Sequence, residues 1–271
     1  MSTAKRCLAM LAFLLWVPLC GAAEEVKITG NDARAPKSFN DRSGNAQGIL
    51  VEIMGYVQEQ TGVRFSYTLY PWARAYKSAL AGEAGIIGLS LSKERQAVFD
   101  YSSEPLFYDE LVLVVKAGKE FPFSGIKDLK GKSIGVCRGC SYGDAYENAV
   151  KDGVFQPVQG DSPSAQLAML LHDRIDAVLM PVGRAGLEDA LRGTQSGVDL
   201  LKHRDKFVIL PQPFARDPNY LAFAKSMDKR KLLAQVDRAL RKGHESGAIK
   251  RRVDKYIAER GAREQAGEGR T

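Results

Sequence analysis

The chain has 271 residues, of which 45% are hydrophobic, and its formal net charge is +7. These values exclude a disordered or fibrous protein, and the length suits two lobes or one large α/β domain. Acids interrupt even the densest basic run, 225–252, so a solvated helix face is favoured there over a surface for nucleic acid or lipid.

The first 23 residues are typical of a signal peptide. Lys5 and Arg6 form a basic start, an apolar run extends from Cys7 to Leu19, and small residues at 21–23 precede two glutamates. The apolar run is too short for a membrane span. We therefore predict cleavage near Ala23 and a periplasmic mature protein, for which no nucleic-acid partner is expected. Loss of Lys5 and Arg6 lowers the formal charge from +7 to +5.

Predicted strands and helices alternate along the first part of the mature chain, which is typical of a parallel α/β lobe. The segments are a strand at 26–30, a polar loop at 31–47, a helix at 49–59, a strand at 63–70, a helix from Pro71 to Gly82, an apolar run at 86–87 and a short helix from Lys93.

A second α/β set follows, and the chain ends in helices. The segments are buried strands at 111–115 and 133–136, further elements at 165–171, 175–179 and 207–210, a strand at 220–224, and two amphipathic helices within 232–257. We predict one lobe of residues 24–115 and 212–260 and a second of residues 116–211. Two strands, near Val112 and Leu221, would join them as a hinge. Residues 261–271 lack apolar content and are predicted to be a disordered tail.

The segment from Gly88 to Arg95 is the most informative motif of the chain. Ser90 and Ser92 offer hydroxyl groups, and the Arg95 guanidinium is a planar fork of donors that matches a carboxylate. This pattern indicates a pocket for a small carboxylated solute. The same residues are also compatible with a simple helix start, in which Ser92 is the N-cap.

Two cysteines remain after the predicted cleavage, Cys137 and Cys140. In an oxidising compartment they can pair as a structural disulfide. They could instead be free thiols that contact a ligand, or a redox-active pair, because a helix is predicted to begin nearby at Tyr142. With one cysteine pair and isolated histidines at 172, 203 and 244, no metal site and no cofactor are expected.

The order of these elements and several motifs resemble the family 3 solute-binding proteins of polar amino-acid transporters. The motifs are Ser90 with Arg95, Lys130–Val136, Arg174–Ala177, Gly247 with Ile249 and Tyr256, and Tyr70–Ala75. The resemblance implies a two-lobed Venus-flytrap fold that clamps a small polar solute. It also implies a monomer that delivers this solute to a membrane permease or sensor.

The resemblance further implies the site residues. Arg95 and Ser90 would hold the ligand carboxylate, Ser141 would add a hydroxyl group from the second lobe, Asp32 would touch the ligand, and Trp72 would cover its body or pack in the core. The ligand site would also include Gly88, Cys140 and Tyr142.

One departure from the family pattern concerns the ligand's ammonium group. The family binds it with an acid shortly after the segment that corresponds to Arg174–Ala177, where this chain has Pro181. Asp32 could replace that acid, or the ligand is not an ordinary α-amino acid. Two alternatives stay open, namely a dehydratase-like enzyme on the same fold, with Asp32 and Glu52 as candidate acids, and a thiol–disulfide redox protein.

Overall fold

The computed structural model describes residues 25–193 and 196–265. The predicted signal peptide lies outside this part of the chain. The strands within these ranges are β1 (Glu25–Thr29), β2 (Ala33–Arg34), β3 (Ser38–Asn40), β4 (Ala46–Gln47), β5 (Arg64–Tyr67), β6 (Gly85–Ser90), β7 (Phe99–Tyr101), β8 (Phe107–Lys116), β9 (Ser133–Cys137), β10 (Gln156–Gly160), β11 (Ala177–Met180), β12 (Phe207–Ile209) and β13 (Ala215–Ala224). The helices are α1 (Ile49–Thr61), α2 (Trp72–Leu80), α3 (Lys93–Val98), α4 (Asp144–Lys151), α5 (Pro163–Leu171), α6 (Gly183–Arg192), α7 (Arg230–Glu245) and α8 (Ala248–Gln265).

The first lobe is a sheet of mixed direction covered by helices. Strand β1 pairs in parallel with β5 and β6, and β6 pairs antiparallel with β13. Helix α1 ends at Gly62, whose φ of 73° lies in the left-handed region that favours glycine. Its apolar face packs against α7 and α8 in a core that includes Ile53, Val57, Val236 and Leu240.

The second lobe has the same kind of architecture. Strand β9 lies between β10 and β11 and pairs with both in parallel, whereas β8 pairs antiparallel with β11 and β12. Apolar residues on both faces of this sheet are buried, as expected where helices cover both sides. The predicted second α/β set is therefore present in the structure.

Two ten-residue strands, β8 and β13, connect the lobes. Residues 107–111 of β8 pair antiparallel with residues 215–219 of β13. Beyond this shared segment, β8 pairs with β11 and β12 in the second lobe, and β13 pairs with β6 and β7 in the first. The two-lobed fold with a two-strand hinge is thus confirmed, and we call the paired segments of β8 and β13 the hinge.

Two segments differ from the sequence expectations. The predicted loop at 31–47 contains a small three-stranded sheet, in which β3 pairs with β2 and β4. Strands of two or three residues are too short to show a period, so sequence patterning did not reveal them.

Helix α8 continues to Gln265, five residues into the segment that we assigned to a disordered tail. Arg260, directly before these five residues, pairs with Asp189 of α6 in the second lobe.

Candidate functional site

A cavity of about 50 Å³ lies between the lobes at the hinge. The first lobe contributes Asn31, Arg34, Lys37, Ser38, Leu50, Trp72, Ile87, Gly88 and Ser90 to its lining, the hinge contributes Asp109, Leu111 and Asp217, and the second lobe contributes Cys137, Cys140, Ser141, Tyr142 and Pro181. The residues that sequence analysis placed at the ligand and that line this cavity are Trp72, Gly88, Ser90, Cys140, Ser141 and Tyr142.

Arg95 lies directly behind the cavity wall and is not among the lining residues. Ser92 caps α3, since its Oγ accepts a hydrogen bond from the Arg95 backbone N–H, as the helix-start interpretation predicts. The Arg95 guanidinium is buried, and its Nη1 donates to the Ser90 carbonyl oxygen at 3.3 Å. It also lies 6.0 Å from the centroid of the Trp72 ring and 5.4 Å from that of Tyr76. Arg95 therefore contacts two residues of the wall, Ser90 and Trp72.

The acids proposed from sequence are not brought together at the cavity. The backbone N–H of Asp32 donates to the Tyr70 carbonyl oxygen, and partial burial raises the pKa of the Asp32 carboxyl. Glu52 lies on α1 and pairs with Arg252 of α8 at 3.0 Å. Neither acid is among the lining residues.

Two buried aspartates of the hinge lie at the cavity instead. Asp109 of β8 and Asp217 of β13 are opposite each other in the strand register. Asp109 accepts from Lys37 Nζ and from the backbone N–H of Val182, both at 2.6 Å. Since Lys37 belongs to the first lobe and Val182 to the second, one carboxylate binds both lobes.

Asp217 is held by neutral donors. Its Oδ2 accepts from Ser90 Oγ at 2.6 Å and from Asn219 Nδ2 at 3.0 Å. Burial raises the pKa of the Asp217 carboxyl, and the nearby Asp109 raises it further, whereas the two hydrogen bonds and Lys37 act in the opposite direction. Asp217 is therefore a buried acceptor with no ion-pair partner of its own among the described residues.

Arg34 supplies a positive charge to the same cavity. The side chain extends from β2 and is buried, and its Nη2 has no hydrogen-bond partner in the described structure. Burial lowers the pKa of the guanidinium, while Tyr142, Asp109 and Asp161 act in the opposite direction. Sequence analysis missed Arg34, Lys37 and both hinge aspartates because nothing in their local patterns marks them as neighbours.

The disulfide loop, Cys137–Cys140, forms part of the cavity wall on the second lobe, opposite Trp72 of the first lobe. Its two cysteines are bonded, with Cα atoms 5.3 Å apart, so the structure contains the disulfide, which is one of the three states that the sequence allows for this pair. The Gly139 carbonyl oxygen accepts a hydrogen bond from Trp72 Nε1 at 3.0 Å. This contact connects the lobes across the cavity.

Pro181 also lines the cavity, so the second lobe presents no carboxylate from that position. The nearby second-lobe acids have other partners: Asp161 pairs with Arg138 at 2.7 Å, and Asp144 accepts from the backbone N–H of Lys93 at 3.2 Å. The carboxylates among the lining residues therefore come from the hinge.

Within residues 25–193 and 196–265, no group of three or more histidine, cysteine, aspartate or glutamate residues is arranged to hold a metal ion. Across the same ranges, none of the helices combines the length and apolar character needed to cross a membrane.

Two lobes joined by crossing strands, with a charged cavity between them, define a class of proteins that bind small molecules between their lobes. The family model for bacterial extracellular solute-binding proteins, family 3, matches residues 26–259. The chain belongs to this family.

Three similar proteins share a quarter or less of their aligned residues with this chain. The L-cystine-binding protein TcyJ of Escherichia coli is 25% identical over 224 residues, which cover 82% of this chain and 78% of the relative. A putative amino-acid ABC transporter-binding protein, PatH of Vibrio harveyi, is 21% identical over 90% of this chain and 92% of its own. Among solved structures, an ancestral arginine-binding protein bound to arginine matches with a TM-score of 0.67 and 21% identity, over 86% of this chain and 97% of that one.

The contact between Trp72 and Gly139 yields a first prediction. Trp72→Phe keeps an aromatic ring in the wall but removes the donor to the Gly139 carbonyl oxygen. A net loss of about 0.5–1.5 kcal/mol is expected for one hydrogen bond. We expect a lower melting temperature and a larger radius of gyration in small-angle X-ray scattering, because the lobes separate more easily. Identical scattering and stability would show that the contact does not hold the lobes together.

The buried Asp217 yields a second prediction. Because its pKa is raised in the folded state, the folded protein binds this proton more tightly than the unfolded chain does. Its contribution to the free energy of unfolding is therefore full at acidic pH and decreases as pH rises from the ordinary aspartate value through the raised one. Asp217→Asn removes this dependence, so the variant should gain stability relative to the wild type as pH rises.

Thermal melts between about pH 4 and about pH 8 measure this difference, since that range starts at the ordinary aspartate pKa. The control is Asp152→Asn, at an exposed aspartate on the second lobe. A stability difference between Asp217→Asn and the wild type that stays constant with pH would contradict the prediction.

Proposed function

We propose that this protein binds a small polar solute in the periplasm, an amino acid or a related carboxylate, and delivers it to the membrane permease of an ABC transporter. The observation that carries the proposal is the cavity at the hinge, lined by residues of both lobes and by charges of both signs. Family membership supports solute binding, and the predicted signal peptide supports the periplasmic location.

The charge arrangement favours a solute that has both donors and an anionic group. Lys37 and Asp109 satisfy each other, whereas Arg34 and Asp217 have no ion-pair partner among the described residues. A zwitterion complements these two groups, since its ammonium group matches Asp217 and its carboxylate matches a guanidinium. Asp217 would thus replace the acid that is missing at Pro181.

The size of the cavity indicates that binding requires movement of the lobes. A volume of about 50 Å³ holds only a few water molecules. Cross-lobe contacts such as Trp72 with Gly139 and Lys93 with Asp144 would have to open to admit a solute. The two-strand hinge is the element about which such opening occurs.

A thermal-shift screen of the mature protein tests the proposal. L-cystine, L-arginine and L-glutamine are the amino-acid probes, and small dicarboxylates, amines and sugars complete the panel. A compound at 100 times its dissociation constant should stabilise the protein by about 2.7 kcal/mol. Stabilisation by an amino acid supports the proposal, whereas a response to sugars or amines alone would contradict the carboxylate assignment.

Arg95→Ala yields a third prediction, which tests the role that the family resemblance assigns to Arg95. The variant loses a buried cation that contacts both Ser90 and Trp72 of the cavity wall. We expect affinity for the stabilising amino acid to fall at least about tenfold, or about 1.4 kcal/mol, in isothermal titration calorimetry. Arg74→Ala is the control, because Arg74 is exposed and stacks on Tyr70 outside the cavity. Unchanged affinity would show that Arg95 has no role in binding the solute.

A further inference from the structure

The Arg34 guanidinium combines burial with the absence of a partner. Its residue is 7% exposed, and Nη2 is a buried donor without an acceptor in the described structure. Burying a charge without a compensating partner is costly, and buried donors in folded proteins are almost always paired. An unpaired buried donor at the wall of a cavity indicates that its acceptor is supplied by a solute bound in the cavity.

The other two cations near the cavity already have partners. Lys37 Nζ lies 2.6 Å from Asp109 Oδ2, and Arg95 Nη1 donates to the Ser90 carbonyl oxygen. Arg34 has neither kind of contact among the described residues. It is therefore the cation at this cavity with the greatest unused capacity to donate hydrogen bonds.

The protein's own carboxylates do not compete for Arg34. Asp109 and Asp161 are the two acids whose charges act on it. Asp109 is occupied by Lys37 and by the Val182 backbone N–H, and Asp161 is exposed and pairs with Arg138. Neither acid lies within ion-pair distance of Arg34 in the described structure.

We propose that Arg34 binds an anionic group of the solute, a carboxylate, through its guanidinium group, whose Nη2 lacks an acceptor in the described structure. The proposal deepens the proposed function and rests on it, because it names the group that recognises the anion. A guanidinium can donate two parallel hydrogen bonds to one carboxylate, a geometry that lysine cannot reproduce. Tyr142 of the second lobe lines the same cavity, so closure of the lobes encloses the pair.

The test compares Arg34→Met with a matched control, Arg64→Met, at an exposed arginine of β5. Methionine keeps an unbranched side chain and removes the buried charge. If Arg34 has a structural role, its replacement should lower the melting temperature. A binding arginine that is unsatisfied in the empty protein leaves the melting temperature of Arg34→Met equal to or above that of the wild type, because replacing a buried charge by an apolar side chain is often neutral or stabilising.

Isothermal titration calorimetry with L-cystine, L-arginine and L-glutamine supplies the second readout. For a probe that binds the wild type, we expect Arg34→Met to lose at least about tenfold in affinity and Arg64→Met to lose none. Arg34→Lys should restore only part of the loss, because lysine keeps the charge but not the planar fork. A primary amide of the same amino acid lacks the carboxylate. It should therefore bind the wild type weakly, and its affinity for Arg34→Met should be the same.

The outcomes separate this proposal from the proposed function. If the wild type binds an amino acid and Arg34→Met binds it equally well, the role of Arg34 is wrong and the function stands. If none of the three amino acids binds the wild type, amino-acid binding is contradicted. The melting temperature then decides the role of Arg34, since a fall below the Arg64→Met control would show a structural role and overturn the proposal.

Discussion

Two aspartates buried face to face on the hinge strands determine much of the site. Asp109 and Asp217 are register partners, and like charges opposite each other destabilise a strand pair unless other groups satisfy them. Asp109 is satisfied by Lys37 from one lobe and the Val182 backbone from the other, and Asp217 by Ser90 and Asn219. These hydrogen bonds offset the free-energy cost of burying the two carboxylates, and they also hold the first-lobe residues Lys37 and Ser90 at the cavity.

The opposite wall is built differently, from a short covalently closed loop. The disulfide between Cys137 and Cys140 constrains the residues that precede α4, and the Gly139 carbonyl oxygen meets Trp72 across the cavity. Arg95 lies behind Trp72 and Ser90 and contacts the wall from its outer side, whereas Gly88 and Ser90 of the same motif line the cavity. The cavity is thus bounded by the hinge on one side and by contacts between the lobes on the other.

The fold could be predicted from the sequence because its large elements carry strong local signals. Apolar runs such as 111–115 and 220–224 marked the two hinge strands, and helical spacing marked α1, α7 and α8. The short strands β2–β4 and the extension of α8 to Gln265 were missed, because the former have no measurable period and the latter is polar.

The site was only partly predictable, for a different reason. Ser90, Trp72 and the cysteines belong to motifs within single segments, and the structure places them at the cavity. Arg34, Lys37, Asp109 and Asp217 come from three distant segments, and each looks locally like an ordinary surface charge. Their importance arises from burial and from pairing between strands, which a sequence without aligned relatives does not reveal.

The chain itself supplies a probe for the claim that an amino acid binds in this cavity. It has two tryptophans, Trp16 in the predicted signal peptide and Trp72 at the cavity wall, so a chain cleaved at the predicted site near Ala23 retains Trp72 alone. Titration of the mature protein with L-cystine, L-arginine or L-glutamine, followed by tryptophan emission, reports on the cavity directly. A saturable change in emission is predicted. An amino acid that binds by calorimetry but leaves the emission of Trp72 unchanged would place the binding site elsewhere.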